Sequence, residues 1–306
     1  MAAFTAKDVQ TLREMTGVGM MDCKKALVET DGDIDQAVIL LREKGLAAAA
    51  KKAGRIAAEG AVCAYVCDKS GVGALLELNS ETDFAAKSED FLALLRGVTQ
   101  AVADSNPADL EALGNASFPS SDMTVTKAVQ EKVLTIGENL QIRRFVRFAD
   151  PVNVSYVHMG GKIGVLVNLK LSDNLKDNPA VVELGRDIAM QAAAMRPQWL
   201  KAEEVDAAAM EAEKEVLLAQ TVAEGKPQAV AEKIVAGRMQ KYYSEVCLLQ
   251  QPFVKENKIT VAQHVAAVAK ELGGEIEVMQ FARFETGEGL EKRSDNFADE
   301  VAKMVQ

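Results

Sequence analysis

Two stretches of this 306-residue chain carry the same pattern in the same order. Tyr65-Val66 followed by Val72-Gly73-Ala74-Leu75-Leu76-Glu77-Leu78 returns as Tyr156-Val157 followed by Ile163-Gly164-Val165-Leu166-Val167-Asn168-Leu169. Each copy reads as two strands joined by a glycine-containing turn, at 68–71 in the first and at Gly160-Gly161 in the second. An amphipathic helix follows each. The first places Phe91, Leu94, Leu95 and Val98 on its apolar side; the second opens at Asn178-Pro179, with proline at the first helical position, and carries Val182, Ile188, Ala189 and Ala192. A third strand also repeats, Phe145-Val146-Arg147-Phe148 returning as Phe281-Ala282-Arg283-Phe284. The repeat predicts an α+β chain with a duplicated core: two three-stranded antiparallel sheets that pack on helices and can pair with each other.

The first copy ends in a corner. The strand gives way to turn residues at Asn79-Ser80, and Thr82-Asp83 opens a helix, both being good N-caps. Phe84, Ala85, Ala86 and Lys87, then Phe91, Leu92, Leu94 and Leu95, continue one helical stripe. An acid and a large aromatic therefore share a strand-to-helix corner. Such a corner can turn both side chains outward, where they can enter a partner. Equally, Asp83 can cap the helix while Phe84 tucks into the core.

Around this core lie three further parts. Residues 1–55 read as three short helices. The first spans 8–15 with Val9, Leu12 and Met15 on one side, Gly17-Val18-Gly19 breaks it, and a second holds Met21, Lys24 and Val28. The third, capped by Asp33, runs from Ile34 to a stop at Gly45. The arrangement resembles the ubiquitin-associated (UBA-like) three-helix type. Met20 and Met21 stand at its loop–helix junction, where methionine serves either as gap-filling core or as an adaptable contact surface. Residues 46–59 read as a helical, solvated tether. The core halves take 56–140 and, in two pieces, 141–202 and 243–290. Between those pieces, 203–242 reads as an antiparallel coiled-coil hairpin, with a seam at Val205, Ala209, Ala212, Val216 and Ala219 returning through Val230, Ile234 and Gly237. Residues 291–306 close the chain with a helix from Phe297.

Composition narrows the function. The net charge of −10 argues against a nucleic-acid partner held by bulk electrostatics. The first residues lack an apolar signal core, and no stretch of about 18 uncharged apolar residues exists, so no membrane span is expected. Cys23, Cys63, Cys67 and Cys247 complete no zinc pattern and read as buried thiols of a cytoplasmic protein. No phosphate loop, dinucleotide fingerprint or nucleophile elbow is present, and the two histidines, His158 and His264, stand apart. Nothing here argues for an enzyme, a cofactor or a bound metal.

Two runs carry a family resemblance. Thr16-Gly17-Val18-Gly19-Met20-Met21-Asp22-Cys23-Lys24-Lys25-Ala26-Leu27 and Asn79-Ser80-Glu81-Thr82-Asp83-Phe84-Ala85-Ala86-Lys87 resemble the two signatures of the bacterial elongation factor Ts family, and His158-Met159-Gly160-Gly161-Lys162-Ile163-Gly164-Val165 is similar to a third segment. The order of parts matches along essentially the whole chain. Ser294-Asp295-Asn296-Phe297 departs from the Thr-Asp-Phe form expected there, and 106–122 is longer and looser. The resemblance implies a non-enzymatic guanine-nucleotide exchange factor that binds elongation factor Tu and releases its GDP. It implies that Thr82, Asp83, Phe84 and Ala85 displace the partner's magnesium, and that Arg13, Met20, Met21, Lys24 and His158 bind the partner. A rival reading from the residues is an interaction scaffold that works through the three-helix unit and the hairpin.

Overall fold

The computed structural model describes residues 4–150, 152–176 and 178–291. The C-terminal helix expected from Phe297 lies outside them. The chain opens with three helices, α1 (Ala6–Thr16), α2 (Met20–Glu29) and α3 (Ile34–Lys52). Thr5 and Asp8 form a reciprocal capping box that starts α1, Gly17 closes it in the left-handed conformation (φ 68°), and Asp33 caps α3. Leu12, Val18, Cys23, Leu27, Ala37 and Leu41 make the small core between them. Met15 is exposed rather than buried.

The first half of the core has β1 (Glu59–Val66), β2 (Gly73–Ser80), then α4 (Asp83–Ala86), α5 (Glu89–Ser105), α6 (Leu110–Asn115), α7 (Val125–Ile136) and β3 (Gln141–Phe148). Its antiparallel sheet has the order β1-β2-β3. Phe91, Leu94, Leu95 and Val98 of α5 are buried with Leu76 and Leu78 of β2, each large side chain contributing about 1.5–3 kcal/mol of burial. Two expectations are corrected here. Asn79 and Ser80 do not turn but pair with Gly60 and Glu59. The Asn79 amide donates to Glu59 O and to Glu77 Oε1, so the polar side chain satisfies the strand instead of breaking it. The expected single helix is split, because Ser88 accepts from Phe91 N–H and caps α5 afresh.

The helix stop expected at Gly45 is also corrected, while the segment after it is helical to Lys52 and mostly exposed, as expected. Helix α3 passes through Gly45 to Lys52 because α7 supports it. Gly45 lies against Leu134, Arg42 pairs with Glu131 at 3.3 Å, and Lys52 Nζ donates to Gly137 O at 2.5 Å. Tertiary packing thus overrides the glycine stop.

The second half repeats the plan with β4 (Asn153–His158), β5 (Ile163–Leu171) and α8 (Pro179–Met195), the last capped by Asn178 with proline in its first turn. Its buried face is Val181, Leu184, Ile188 and Ala192; Val182 falls off that face and is exposed. Two antiparallel helices follow, α9 (Ala207–Ala223) and α10 (Gln228–Val246), then a small hairpin of β6 (Pro252–Phe253) and β7 (Glu256–Thr260), which the sequence reading missed. Helix α11 (Val261–Glu271) and β8 (Ile276–Glu285) complete the order β4-β5-β8.

The α9–α10 contact differs from the expected seam. Thr221, Ala231, Val235 and Met239 are buried, while Val216, Val230, Ala212, Ala219 and Gly237 are exposed. Tyr243 donates to Met210 Sδ at 3.1 Å, and Arg238 reaches Thr221 and Glu224. Small residues bury little area, so the longer side chains decide which faces meet.

The two sheets meet face to face through Val62, Leu75, Phe148, Leu166 and Phe284. The contact is reciprocal. A Cβ on Gly73 would sit 2.9 Å from Leu166, and one on the corresponding Gly164 would sit 2.9 Å from Leu75 and 2.4 Å from Val62. Both central strands carry a bulge at the same place, Glu77/Leu78 and Asn168/Leu169. Glu77 is fully buried there and accepts from Arg143, Arg144 and the Gly287 N–H, which satisfies a charge that would otherwise be costly.

Candidate partner-binding site

The strand β2 delivers the chain straight into the corner. Thr82, not Asp83, is the N-cap of α4: its hydroxyl accepts from Ala85 N–H at 3.1 Å. Asp83 is the first helical residue and receives a hydrogen bond from Lys87 Nζ at 2.6 Å, which holds its carboxyl below the ordinary aspartate range; the charge of Lys87 adds to this. Phe84 is 84% exposed, so the core reading of this side chain is corrected. Ala85 is buried and seats the short helix on the core.

The N-terminal candidates are exposed as well. Met20 and Met21 open α2 at 44% and 64% exposure, and Arg13 and Lys24 face solvent on α1 and α2. The buried Cys23 and Leu27 supply the core on the other side of α2, so the gap-filling reading of the methionines is corrected too. His158 stands exposed at the tip of the β4–β5 hairpin, its Nδ1 2.8 Å from Tyr156 Oη.

The N-terminal candidates and the corner, distant in sequence, both meet the end of α7. The Gly17 turn that precedes Met20 lies against Thr135. Thr82 N–H and Oγ1–H donate to Glu138 Oε2 and Oε1 at 3.0 and 2.7 Å. The β4–β5 tip is tied to β1 instead: Val62 N–H donates to Gly161 O at 2.8 Å.

Comparison with known proteins decides the family. A family model described as elongation factor TS matches residues 81–288. The chain is similar to elongation factor Ts of Clostridium botulinum (strain Eklund 17B / Type B), 49% identical over 98% of this chain and 99% of that protein. It is similarly related to elongation factor Ts of Symbiobacterium thermophilum, 50% identical over 100% and 99%, and of Syntrophotalea carbinolica, 49% identical over 99% of both.

The chain belongs to the elongation factor Ts family. The match to the elongation factor Ts model opens within the corner and takes in His158, β3 and the whole second sheet, while the full-length relatives also span the three N-terminal helices, β1 and β2. Sequence reasoning missed Glu81, Glu138 and Lys87, the side chains that hold the corner. The signal that could have found them is the acid at Glu138 just after a helix-ending glycine, Gly137 (φ 86°). Among the described residues no group of three or more His, Cys, Asp or Glu could hold a metal ion, and no helix is long and apolar enough to cross a membrane. Cys23 and Cys247 are buried as expected, but Cys63 and Cys67 are only half-buried.

Proposed function

We propose that this elongation factor Ts family chain is a guanine-nucleotide exchange factor for elongation factor Tu. It binds Tu–GDP and promotes GDP release by inserting Asp83 and Phe84 beside the magnesium site of the GTPase domain. The observation that carries the reading is Phe84, a large aromatic at 84% exposure on a corner whose backbone is otherwise tied down. A free aromatic of this size is an anchor in search of a pocket. Magnesium demands near-ideal octahedral geometry, so a ring and a carboxylate wedged beside it loosen both ion and phosphates. No covalent step is needed. Coupling is reciprocal, so nucleotide weakens the factor's grip as the factor weakens the nucleotide's.

In this reading Arg13, Met20, Met21 and Lys24 grip a helix of the same GTPase domain, and His158 touches a more distant domain. The N-terminal helices act as a UBA-like domain (1–55), α9 and α10 as a coiled-coil appendage (203–242), and the remainder (56–202 and 243–290) as the two core halves. The test is release of a fluorescent GDP analogue from elongation factor Tu. Phe84→Ala should cost about 2 kcal/mol or more of interaction, read as slower release. Wild-type release by the variant would leave the scaffold reading, in which the corner has no task.

A further inference from the structure

The corner is fixed by a reciprocal clasp. Glu138 accepts both polar hydrogens of Thr82. In return Glu81 Oε1 accepts from Asn139 N–H at 2.7 Å and from Arg55 at 3.3 Å, and Asn139 Nδ2–H donates to Arg55 O at 2.8 Å. Each loop caps the other's backbone with a carboxylate, and charge-assisted bonds of this kind are the strong ones. The four-residue α4 cannot hold a direction by itself.

The second half supplies the control. Its equivalent corner is also stitched to the loop before the third strand: Ser172 N–H donates to Glu275 O, Glu275 N–H to Ser172 Oγ, and Asn174 Nδ2–H to Gly273 O. Aligning Phe145 with Phe281 places Gly137 opposite Gly273, both left-handed (φ 86° and 69°), and Glu138 opposite Gly274. A Cβ on Gly274 would sit 2.6 Å from Leu175, which lies as many residues past its bulge as Phe84 lies past the other. Glycine there leaves room for Leu175 to turn in, to 1% exposure. In the first half a glutamate occupies that place.

We propose that Glu138 is a positioning residue for nucleotide exchange: its carboxylate clasps Thr82 and denies Phe84 the inward position that Leu175 takes, and so presents the wedge outward. Because Lys52 donates to Gly137 O and the Gly17 turn rests on Thr135, the same loop sets the wedge relative to the N-terminal helices. The inference rests on the exchange reading above.

Two readouts separate the two. Amide hydrogen exchange of the free protein reports the clasp: Glu138→Ala and Glu138→Gly should speed exchange at 82–86 and leave β1 and β5 unchanged. Unchanged protection at 82–86 overturns the proposal whatever happens to GDP. Fluorescent GDP release from elongation factor Tu reports the wedge. Glu138→Ala should lower the rate at saturating factor about tenfold, the loss expected for bonds to a charged acceptor, with little change in the half-saturating concentration. In a Phe84→Ala background the same substitution should add nothing. An equal further loss there shows that Glu138 acts through the fold at large and overturns the proposal. Glu138→Gln, which keeps one acceptor, should fall between wild type and Glu138→Ala; a rate at or below that of Glu138→Ala overturns it too. If Phe84→Ala alone leaves release unchanged, the exchange reading fails, while the hydrogen-exchange result still decides the clasp.

Discussion

Phe84 and Leu175 stand the same number of residues past a shared bulge in two copies of one fold, yet Phe84 is 84% exposed and Leu175 is 1% exposed. The second copy shows what an apolar residue does at this corner by default: it joins the cluster of Val167, Leu169, Leu184 and Val278 and removes its surface from water. The larger ring does not. The fold therefore does not expose this position; the first half does so against the general tendency, through the side chains around it. Exposure of one large apolar side chain is ordinary on a protein surface. Exposure where the sister copy buries its counterpart calls for a partner.

The comparison breaks most readily on stability. Leu175→Ala should cost about 2–5 kcal/mol, the transfer of the side chain plus the cavity left behind. Phe84→Ala should stay within about 0.5 kcal/mol, as for surface substitutions generally. Chemical denaturation midpoints at constant m-value check both. Comparable losses would mean that Phe84 is packed in the free protein and that the corners are alike.

That asymmetry was only half legible in the sequence. The repeat of Tyr65 and Tyr156, of Gly73 and Gly164, and of Phe145 and Phe281 was enough to place the strands of both sheets, because period-two alternation and glycine turns are local signals. Phe84 was ambiguous from its neighbours alone, since a helix start followed by Phe-Ala-Ala reads equally as core. What decides it is Glu138, which lies far along the chain and reaches Thr82 only after α5 to α7 have packed. The α3 extension failed for the same reason: Gly45 is a stop locally, and only Leu134 and Glu131 of α7 make it a helix interior. The seam of α9 and α10 failed because alanine is neutral between faces, so a rhythm of alanines carries no register.

A second way to sharpen the comparison is to make the second corner resemble the first. Gly274→Ala places a methyl 2.5 Å from Ser172 Oγ and 2.6 Å from Leu175 Cδ1, closer than real contacts allow. Overpacking of this kind costs about 1–3 kcal/mol. The strain should be relieved by displacing Leu175, so Leu175→Ala should cost less in the Gly274→Ala background than in wild type, a coupling that a double-mutant cycle reads directly. Additive losses would mean that Gly274 and Leu175 do not compete for space, and the argument from Gly274 to Glu138 would lose its footing.

The smallest effect concerns charge: each corner ties an aspartate to a lysine, although Asp173 lies one residue nearer its bulge than Asp83 does. Asp83 receives a hydrogen bond from Lys87 and Asp173 one from Lys176, and in both the lysine holds the carboxyl below its ordinary range, first by that bond and then by its charge. A carboxylate lowered in the folded state contributes stability that is present above its unfolded pKa and is lost as pH falls through the folded one. Both contributions are therefore intact at neutral pH and fade only on acidification below the ordinary aspartate range. Both groups are solvent-exposed, so little stability is at stake in either. Lys87→Ala should raise the Asp83 midpoint and Lys176→Ala the Asp173 midpoint, each followed by carboxyl NMR titration, with no resolvable change in stability at neutral pH. The corners should part only when elongation factor Tu is added. Lys87→Ala frees the charge of Asp83 beside the wedge and should alter fluorescent GDP release, by less than about threefold, the scale of an exposed ion pair. Lys176→Ala should alter nothing, because the helix turn it stabilises presents a buried leucine. If both lysines change release equally, the difference between the corners lies in their surroundings and not in the side chains Asp83 and Phe84.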